Sequence, residues 1–407
     1  MAASTGKRFV IIGNGASGTY AAETIRKNLP DSDVTLITNE PYPLYNRVAL
    51  PPYLRGTAKR EKVFLRTPEQ HAEKGIKLLL ETQIERIDVR GKVAHSADGR
   101  ELPYDQMLIA TGGRPNALAV PGAAGTLGVL NFQYFADAEA IRERMETSKH
   151  ATVVGGSYIA YELAEAFRHH NLEVTWLIRG PRFLRRVLDE AGGRLVDQIA
   201  RDAGVDIRYG HEVKEVHARD GQVVGVTTTA DQHIDTDLVG VGLGVKMNTE
   251  FLADTGITVR GGIVTNEFLE TAVPGVLAAG DVAEFFDVAI GLHNQMGTWN
   301  NSVGHGRIAG ATMSGDRKAY NDTPMYSTGL FDSRIRVMGL TPENLSDLES
   351  YQEIDEEKRN YRRLFFRDGR LVGGCLIGDI KLQTKIIQVI QARQVIPDSE
   401  RASILQS

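Results

Sequence analysis

One unit of sequence grammar occurs twice in this chain and constrains its fold more than any other feature. Arg8–Ile12 (RFVII) is a short apolar run that leads directly into Gly13-Asn14-Gly15-Ala16-Ser17-Gly18. A helical stretch from Ala16 to about Asn28 follows, and then the apolar run Asp33–Ile37 (DVTLI). Strand, glycine turn, helix and strand in that order make one βαβ unit. About 140 residues later the order recurs: His150–Val154 (HATVV), Gly155-Gly156-Ser157-Tyr158-Ile159-Ala160, a helix Tyr158–His169 and the strand Glu173–Ile178. Two copies of a nucleotide-binding unit imply two nucleotide sites.

In such a turn the first glycine makes the tight bend and the second lets backbone amides approach a pyrophosphate. The third permits close helix–sheet packing, with the phosphate at the positive helix N-terminus. Gly13, Gly15 and Gly18 fill all three positions, so Gly13, Gly15, Ala16, Ser17 and Gly18 are the expected contacts of the first site. An acid about 20 residues on holds the adenosine ribose. Asn39 and Glu40 stand there, with Glu40 preferred and a turn-capping role as its alternative. In the second turn Ser157 replaces the second glycine and Ala160 the third. A serine hydroxyl can cap the helix or meet a phosphate, so Gly155, Gly156, Ser157, Tyr158 and Ile159 are expected at the second site.

The second unit also carries a coenzyme signal. Ile178 ends its second strand where an acid would hold a free 2′-hydroxyl, and Arg179, Arg182, Arg185 and Arg186 follow. A 2′-phosphate wants guanidinium forks and repels carboxylates, so the loop reads as an NADP site, with a solvated basic face as the alternative.

Three further strands and a C-terminal region complete the organisation. Gln106–Ala110 is a strand ending in Thr111-Gly112-Gly113-Arg114-Pro115, and Asp237–Leu243 is a strand interrupted by glycines, among them Gly242, which is expected to contact a cofactor. Gly275–Asp281 is another, with Asp281 at its tip. From about Tyr320 the texture becomes strand-like alternation (Arg334–Val337, Arg362–Phe366, Leu371–Ile377), with a turn at Asp368-Gly369 and a last helix near Lys381–Arg393. The expected fold class is α/β, two Rossmann-like dinucleotide-binding domains plus a C-terminal α+β domain. The expected boundaries are 1–118 and 248–320 for the first domain, 119–247 for the second and 321–407 for the third.

Composition removes other chemistries. The net charge of −5 gives no reason to expect nucleic acid. A single cysteine, Cys375, excludes an intrachain disulfide and any Cys-based zinc or iron–sulfur site, so no metal is expected. Cys375 itself reads as a small buried hydrophobe rather than a reactive thiol. No run of signal-peptide or membrane-spanning length is evident, so the expectation is a cytoplasmic chain without a membrane span, as monomer or homodimer.

Taken in order, Gly13–Gly18, Ala110-Thr111-Gly112, the turn at 155–160 and Ala279-Gly280-Asp281 resemble the flavoprotein reductases with two dinucleotide-binding domains. Pro43–Leu50 (PLYNRVAL) looks like the flavin-proximal segment of nitrite reductase large subunits and of rubredoxin and ferredoxin reductases. The tail Tyr361–Asp379 resembles their C-terminal module. This resemblance implies FAD across the first unit, Ala110, Thr111, Gly112, Arg114, Gly280 and Asp281, with its adenine near Gln83 and Ile84. It implies NADPH, or NADH, on the inserted domain with the nicotinamide facing the flavin, and Glu162 as an acid near that point. Trp299 matches an aromatic that borders the isoalloxazine in some ferredoxin reductases, or is a core aromatic. Arg179 and Arg185 look like the arginine pair of NADPH-using glutathione reductases.

Two departures matter. Neither the cysteine pair of the disulfide reductases nor the cysteine of NADH oxidases and coenzyme A disulfide reductases is present. Pro51-Pro52 occupies a segment where ferredoxin-type reductases often have a lysine, for which Arg47 is the expected substitute. The resemblance thus implies an FAD-dependent oxidoreductase that takes hydride from NADPH and passes electrons to a ferredoxin- or rubredoxin-type carrier. The alternatives are a quinone or oxygen reductase and an NAD(P)H-responsive interaction module.

Overall fold

A computed structural model of the chain describes residues 6–405. The chain forms two compact units. One takes in the residues up to Asn46, Phe64–Arg114 and Met247–Met325; the other takes in Arg47–Val63, Pro115–Lys246 and the residues from Tyr326 onward.

The first unit is built on a parallel five-stranded sheet ordered Val276–Ala278, Gln106–Ile109, Arg8–Ile12, Asp33–Ile37, Ile76–Leu79. Along Arg8–Ile12, Phe9 and Ile11 face one buried cluster with Ala21, Ile25 and Leu36, while Val10 and Ile12 face another with Ile37, Met107 and Ile109. Burial on both faces is why these strands read as unbroken apolar runs. A small antiparallel meander, Ile84–Asp88, Val93–Ser96 and Glu101–Pro103, accompanies the sheet.

The second unit repeats the plan. Its parallel sheet is ordered Val205–Tyr209, Glu173–Ile178, His150–Val154, Leu238–Val241, Val129–Asn131, and its meander is Val213–Arg219, Gln222–Thr228 and His233–Asp235. The two glycine turns leave their sheets alike: Gly13 N–H donates to Ile37 O at 2.7 Å and Gly155 N–H to Leu177 O at 3.0 Å.

The same unit contains the C-terminal five-stranded sheet, ordered Met325–Leu330, Ser333–Gly339, Arg370–Ile377, Asn360–Arg367, Glu349–Asp355. Asp368 and Gly369 both have positive φ (48° and 72°), the backbone a tight two-residue hairpin turn requires. This sheet packs on the nucleotide fold of its own unit: Arg363 Nη1 donates to Val187 O at 3.0 Å, and a Cβ on Gly192 would lie 2.8 Å from the Tyr361 ring. The segment Arg47–Val63, although it falls inside the expected first domain, also belongs to this unit. The Tyr53 ring stacks on Phe135 with centroids 5.6 Å apart, Arg142 lies over that ring, and Arg55 pairs with Glu165.

Two strand ends fall short of expectation. The strand expected over Asp237–Leu243 is Leu238–Val241, and the one expected to end at Asp281 stops at Ala278. Asp281 lies instead in a single 3₁₀ turn, Gly280–Val282.

Candidate functional site

In the first unit the glycines of the turn differ in what they require. Gly13 has φ +109°, and a Cβ there would lie 2.2 Å from Ala110 O. A Cβ on Gly18 would lie 1.8 Å from Gly13 O. Both are glycine because the protein itself approaches. Gly15 has an ordinary extended backbone, φ −63° and ψ −171°, and a Cβ there would touch nothing within 4 Å. It stands at the N-cap of the helix Ala16–Asn28 without a side chain to cap it. The open space thus lies where helix amides face outward, which suits an anionic ligand against the backbone.

The late turn comes to the same place. Gly280 (φ +80°) would put a Cβ 2.4 Å from Ser17 Oγ, and Ser302 Oγ donates to Asp281 Oδ1 at 2.9 Å. Thr111 Oγ1 donates to Asn248 O at 2.8 Å and Asn248 Nδ2 to Thr111 O at 3.0 Å, while Gly112 (φ +58°) faces open space. Arg114 grips Glu250 with both terminal guanidinium nitrogens, Nη1 and Nη2, at 3.0 and 2.5 Å. At the other end of the turn, Thr82 N–H to Thr38 O and Glu81 N–H to Glu40 O bring Asn39 and Glu40 beside Gln83 and Ile84. Glu40 Oε2 accepts from the Tyr45 phenol at 2.7 Å. Trp299 is half-buried at the first position of the helix Trp299–Met313, outside the apolar core.

In the second unit a Cβ on Gly155 (φ +122°) would lie 2.2 Å from Gly242 O, and one on Gly242 would lie 2.6 Å from Ala160 N. Ser157 caps the helix Tyr158–His169 by accepting from Ala160 N–H, and its hydroxyl donates to Gly242 O at 2.8 Å. Of the arginines, Arg182 is structural: its Nε donates to Leu188 O at 2.9 Å. Arg179 and Arg185 are exposed beside the turn; the Arg185 stem lies against Gly180, and Ile178 lies against Gly156. Arg179 also faces an acid absent from the sequence reading, Glu212, at 3.6 Å.

Glu162 is buried on the helix Tyr158–His169. Tyr326 Oη and Thr328 Oγ1 donate to its Oε1 at 2.9 and 3.1 Å. Burial pushes its carboxyl up to about 7 against those two hydrogen bonds, and neighbouring Glu165 adds to the rise. Arg47 lies in this unit too, donating to Gln133 O at 3.1 Å with its guanidinium over the Tyr134 ring. Cys375 is fully buried, and burial raises its thiol to about 12, so it is an inert thiol.

Among the described residues there is no group of three or more side chains suited to a metal ion, and no helix is long and apolar enough to cross a membrane.

Residues 7–306 match the pyridine nucleotide-disulphide oxidoreductase family. The chain belongs to that family. Residues 329–394 match the C-terminal domain of rubredoxin NAD+ reductase. The chain is 27% identical over 407 residues to a nitrite reductase (NAD(P)H) of Bacillus subtilis, covering 98% of this chain and 49% of the relative. It thus spans about half the length of that relative. It is 31% identical over 342 residues to putidaredoxin reductase of Pseudomonas putida, covering 82% of this chain and 80% of the other. The crystal structure of a covalent putidaredoxin reductase–putidaredoxin complex superposes with a TM-score of 0.91 at 25% identity, over 98% of each chain. The family's name refers to disulphides, yet this chain has one cysteine and no disulfide of its own to form.

Proposed function

We propose that this chain is an FAD-containing NAD(P)H oxidoreductase that prefers NADPH and delivers electrons to a small iron–sulfur or rubredoxin-type protein. The observation that carries the reading is Gly15, a glycine with no reason inside the protein to be one, at the N-terminus of the helix whose Ser17 lies against Gly280. In this reading 1–118 and 248–320 hold FAD, 119–247 hold the nicotinamide nucleotide, and 321–407 form the C-terminal module.

When bound, FAD accepts the two electrons of a hydride and returns them singly, which is the chemistry a one-electron carrier needs. The residues of the chain bind and orient. The turn Gly13–Gly18 and the helix behind it hold the FAD pyrophosphate, and Thr38–Glu40 with Thr82–Ile84 hold the adenosine end. The turn Gly155–Ile159 holds the second pyrophosphate, while Arg179 and Arg185 take the 2′-phosphate. Tyr326 and Thr328 both donate to Oε1 of Glu162, so a proton held by that carboxyl sits on Oε2. The electron-carrier partner is supported by the match at 329–394 and by the likeness to a reductase captured with its carrier.

The test is anaerobic mixing of the purified full chain with NADPH or NADH, followed by a panel of acceptors. The expected result is about one FAD per chain, faster reduction by NADPH and fast reoxidation by a carrier protein. A colourless chain that takes up no added FAD overturns the assignment.

A further inference from the structure

The helix Trp299–Met313 runs in backbone contact with the helix Ala16–Asn28. A Cβ on Gly306 would lie 2.4 Å from Ser17 O, and one on Gly310 would lie 2.7 Å from Ala21 O. That closeness lets one face of the later helix reach both parts of the first nucleotide site. Ser17 Oγ donates to Ser302 O at 2.8 Å. Ser302 Oγ donates in turn to Asp281 Oδ1 at 2.9 Å. One turn further along, His305 Nδ1 accepts the Gly280 amide proton at 3.1 Å.

His305 is an expensive residue for its position. It has no solvent exposure and sits edge-on between Phe285 and Tyr320, with ring centroids 4.6 and 4.4 Å away. Its Nε2 has no hydrogen-bond partner among the described residues. Packing alone is served better by phenylalanine, which carries no polar atom to bury. What phenylalanine lacks is the acceptor. Gly280 has φ +80°, and its buried N–H points at the helix, where Nδ1 satisfies it. Because Nδ1 accepts, the ring proton is on Nε2 and the imidazole is neutral. Burial, which lowers this histidine to about 3, keeps it so.

We propose that Ser302 and His305 are positioning residues that clamp Gly280-Asp281 against the first glycine turn and so hold the site in its flavin-binding geometry. Ser302 aims the Asp281 carboxylate and ties it to Ser17; His305 fixes the Gly280 peptide that precedes it. The proposal rests on the reading that this turn receives FAD.

The test titrates FAD into the flavin-free full chain and compares His305→Phe with His305→Asn. Asn presents an oxygen near the place of Nδ1, whereas Phe keeps the ring and loses the acceptor. The expected result is a Kd for FAD raised about tenfold or more in H305F and within about threefold of wild type in H305N. A purely packing role gives the reverse order, and that order overturns the proposal. Should H305F not fold, Ser302→Ala carries the test. It removes one hydroxyl and is expected to weaken FAD several-fold in wild type but not in an Asp281→Ala background; an unchanged Kd in wild type overturns the clamp. Failure of the underlying reading looks different, because the wild type itself then takes up no FAD.

Discussion

Tyr326 donates its phenolic proton to Oε1 of the buried Glu162 at 2.9 Å, across 164 residues of sequence. Two hydroxyl donors offset part of the cost of burying a carboxylate at Glu162, and burial still wins, raising the carboxyl from 4.5 to about 7. The folded chain therefore binds more protons at Glu162 than the unfolded chain does between those two values. By linkage, this group's contribution to stability falls as pH rises through that window. Glu162→Gln removes the titration. Denaturant unfolding at several pH values should give a shallower loss of stability from pH 5 to 8 in E162Q. Relative to wild type, E162Q should gain up to about 3 kcal/mol at the alkaline end. Parallel profiles for the two proteins would mean that Glu162 is not held protonated by burial.

The open space at Gly15 separates folding from binding. Gly15→Leu demands no positive φ and meets no protein atom at its Cβ, so the chain should fold with nearly the stability of the flavin-free wild type. It should lose the flavin absorbance, because the side chain fills the approach to the helix amides. Gly18→Ala should do the opposite kind of damage, since its Cβ would lie 1.8 Å from Gly13 O and the turn itself must shift. A yellow Gly15→Leu protein would show that the pyrophosphate does not come to this turn.

The parts of the fold that follow from local pattern were readable residue by residue. Arg8–Ile12, Ala16–Asn28, Asp33–Ile37, His150–Val154, Tyr158–His169 and Glu173–Ile178 have the bounds their apolar periodicity and glycine turns predict. Strands buried on both faces and helices that begin at a glycine turn carry their boundaries in their own composition. What escaped the sequence depends on distant partners. Nothing near His305 announces that its acceptor serves Gly280, and Tyr326 meets Glu162 only after the C-terminal sheet docks. Arg47–Val63 reads as a continuation of the first domain until Tyr53 stacks on Phe135 and Arg55 finds Glu165. Gly280 carried a local signal in its glycine. Its partner on the later helix carried none beyond the oddity of a histidine among small residues.

In the proposed reading, coenzyme choice turns on a contest at Arg179. Its guanidinium faces Glu212 at 3.6 Å, and both side chains are largely exposed, 75% and 49%. An exposed pair of this kind is worth little, so a 2′-phosphate can draw Arg179 away at small cost. Replacing Arg179 and Arg185 together by alanine should lower kcat/KM for NADPH about ten- to a hundredfold, a loss of about 1.5–3 kcal/mol, and leave NADH nearly unchanged. Glu212→Gln should raise the NADPH to NADH ratio several-fold, because it removes a carboxylate that competes for Arg179 and repels the phosphate. A wild type that reduces faster with NADH at equal low concentration would make the basic loop a solvated face.

The proposed acceptor can be tested through the chain's one cysteine. Its single cysteine is buried, with burial raising the thiol to about 12, so the chain has no accessible thiolate to attack a disulfide. The proposed reading therefore has electrons leave the cofactor directly, singly to a carrier protein or as a pair to a small oxidant. Redox encounters between proteins are small and transient, so carrier turnover should show modest affinity and should weaken as salt rises wherever charge guides the approach. Ferricyanide and small iron–sulfur or rubredoxin proteins should be reduced by NADPH through this chain, and oxidised glutathione and coenzyme A disulfide should be inert. Cys375→Ala should leave ferricyanide turnover unchanged, which separates the buried thiol from the chemistry. Disulfide turnover at rates comparable with ferricyanide would overturn the argument from the thiol. Fast NADPH oxidation by oxygen or quinone, with no gain from any carrier protein, would move the assignment to a reductase of small oxidants.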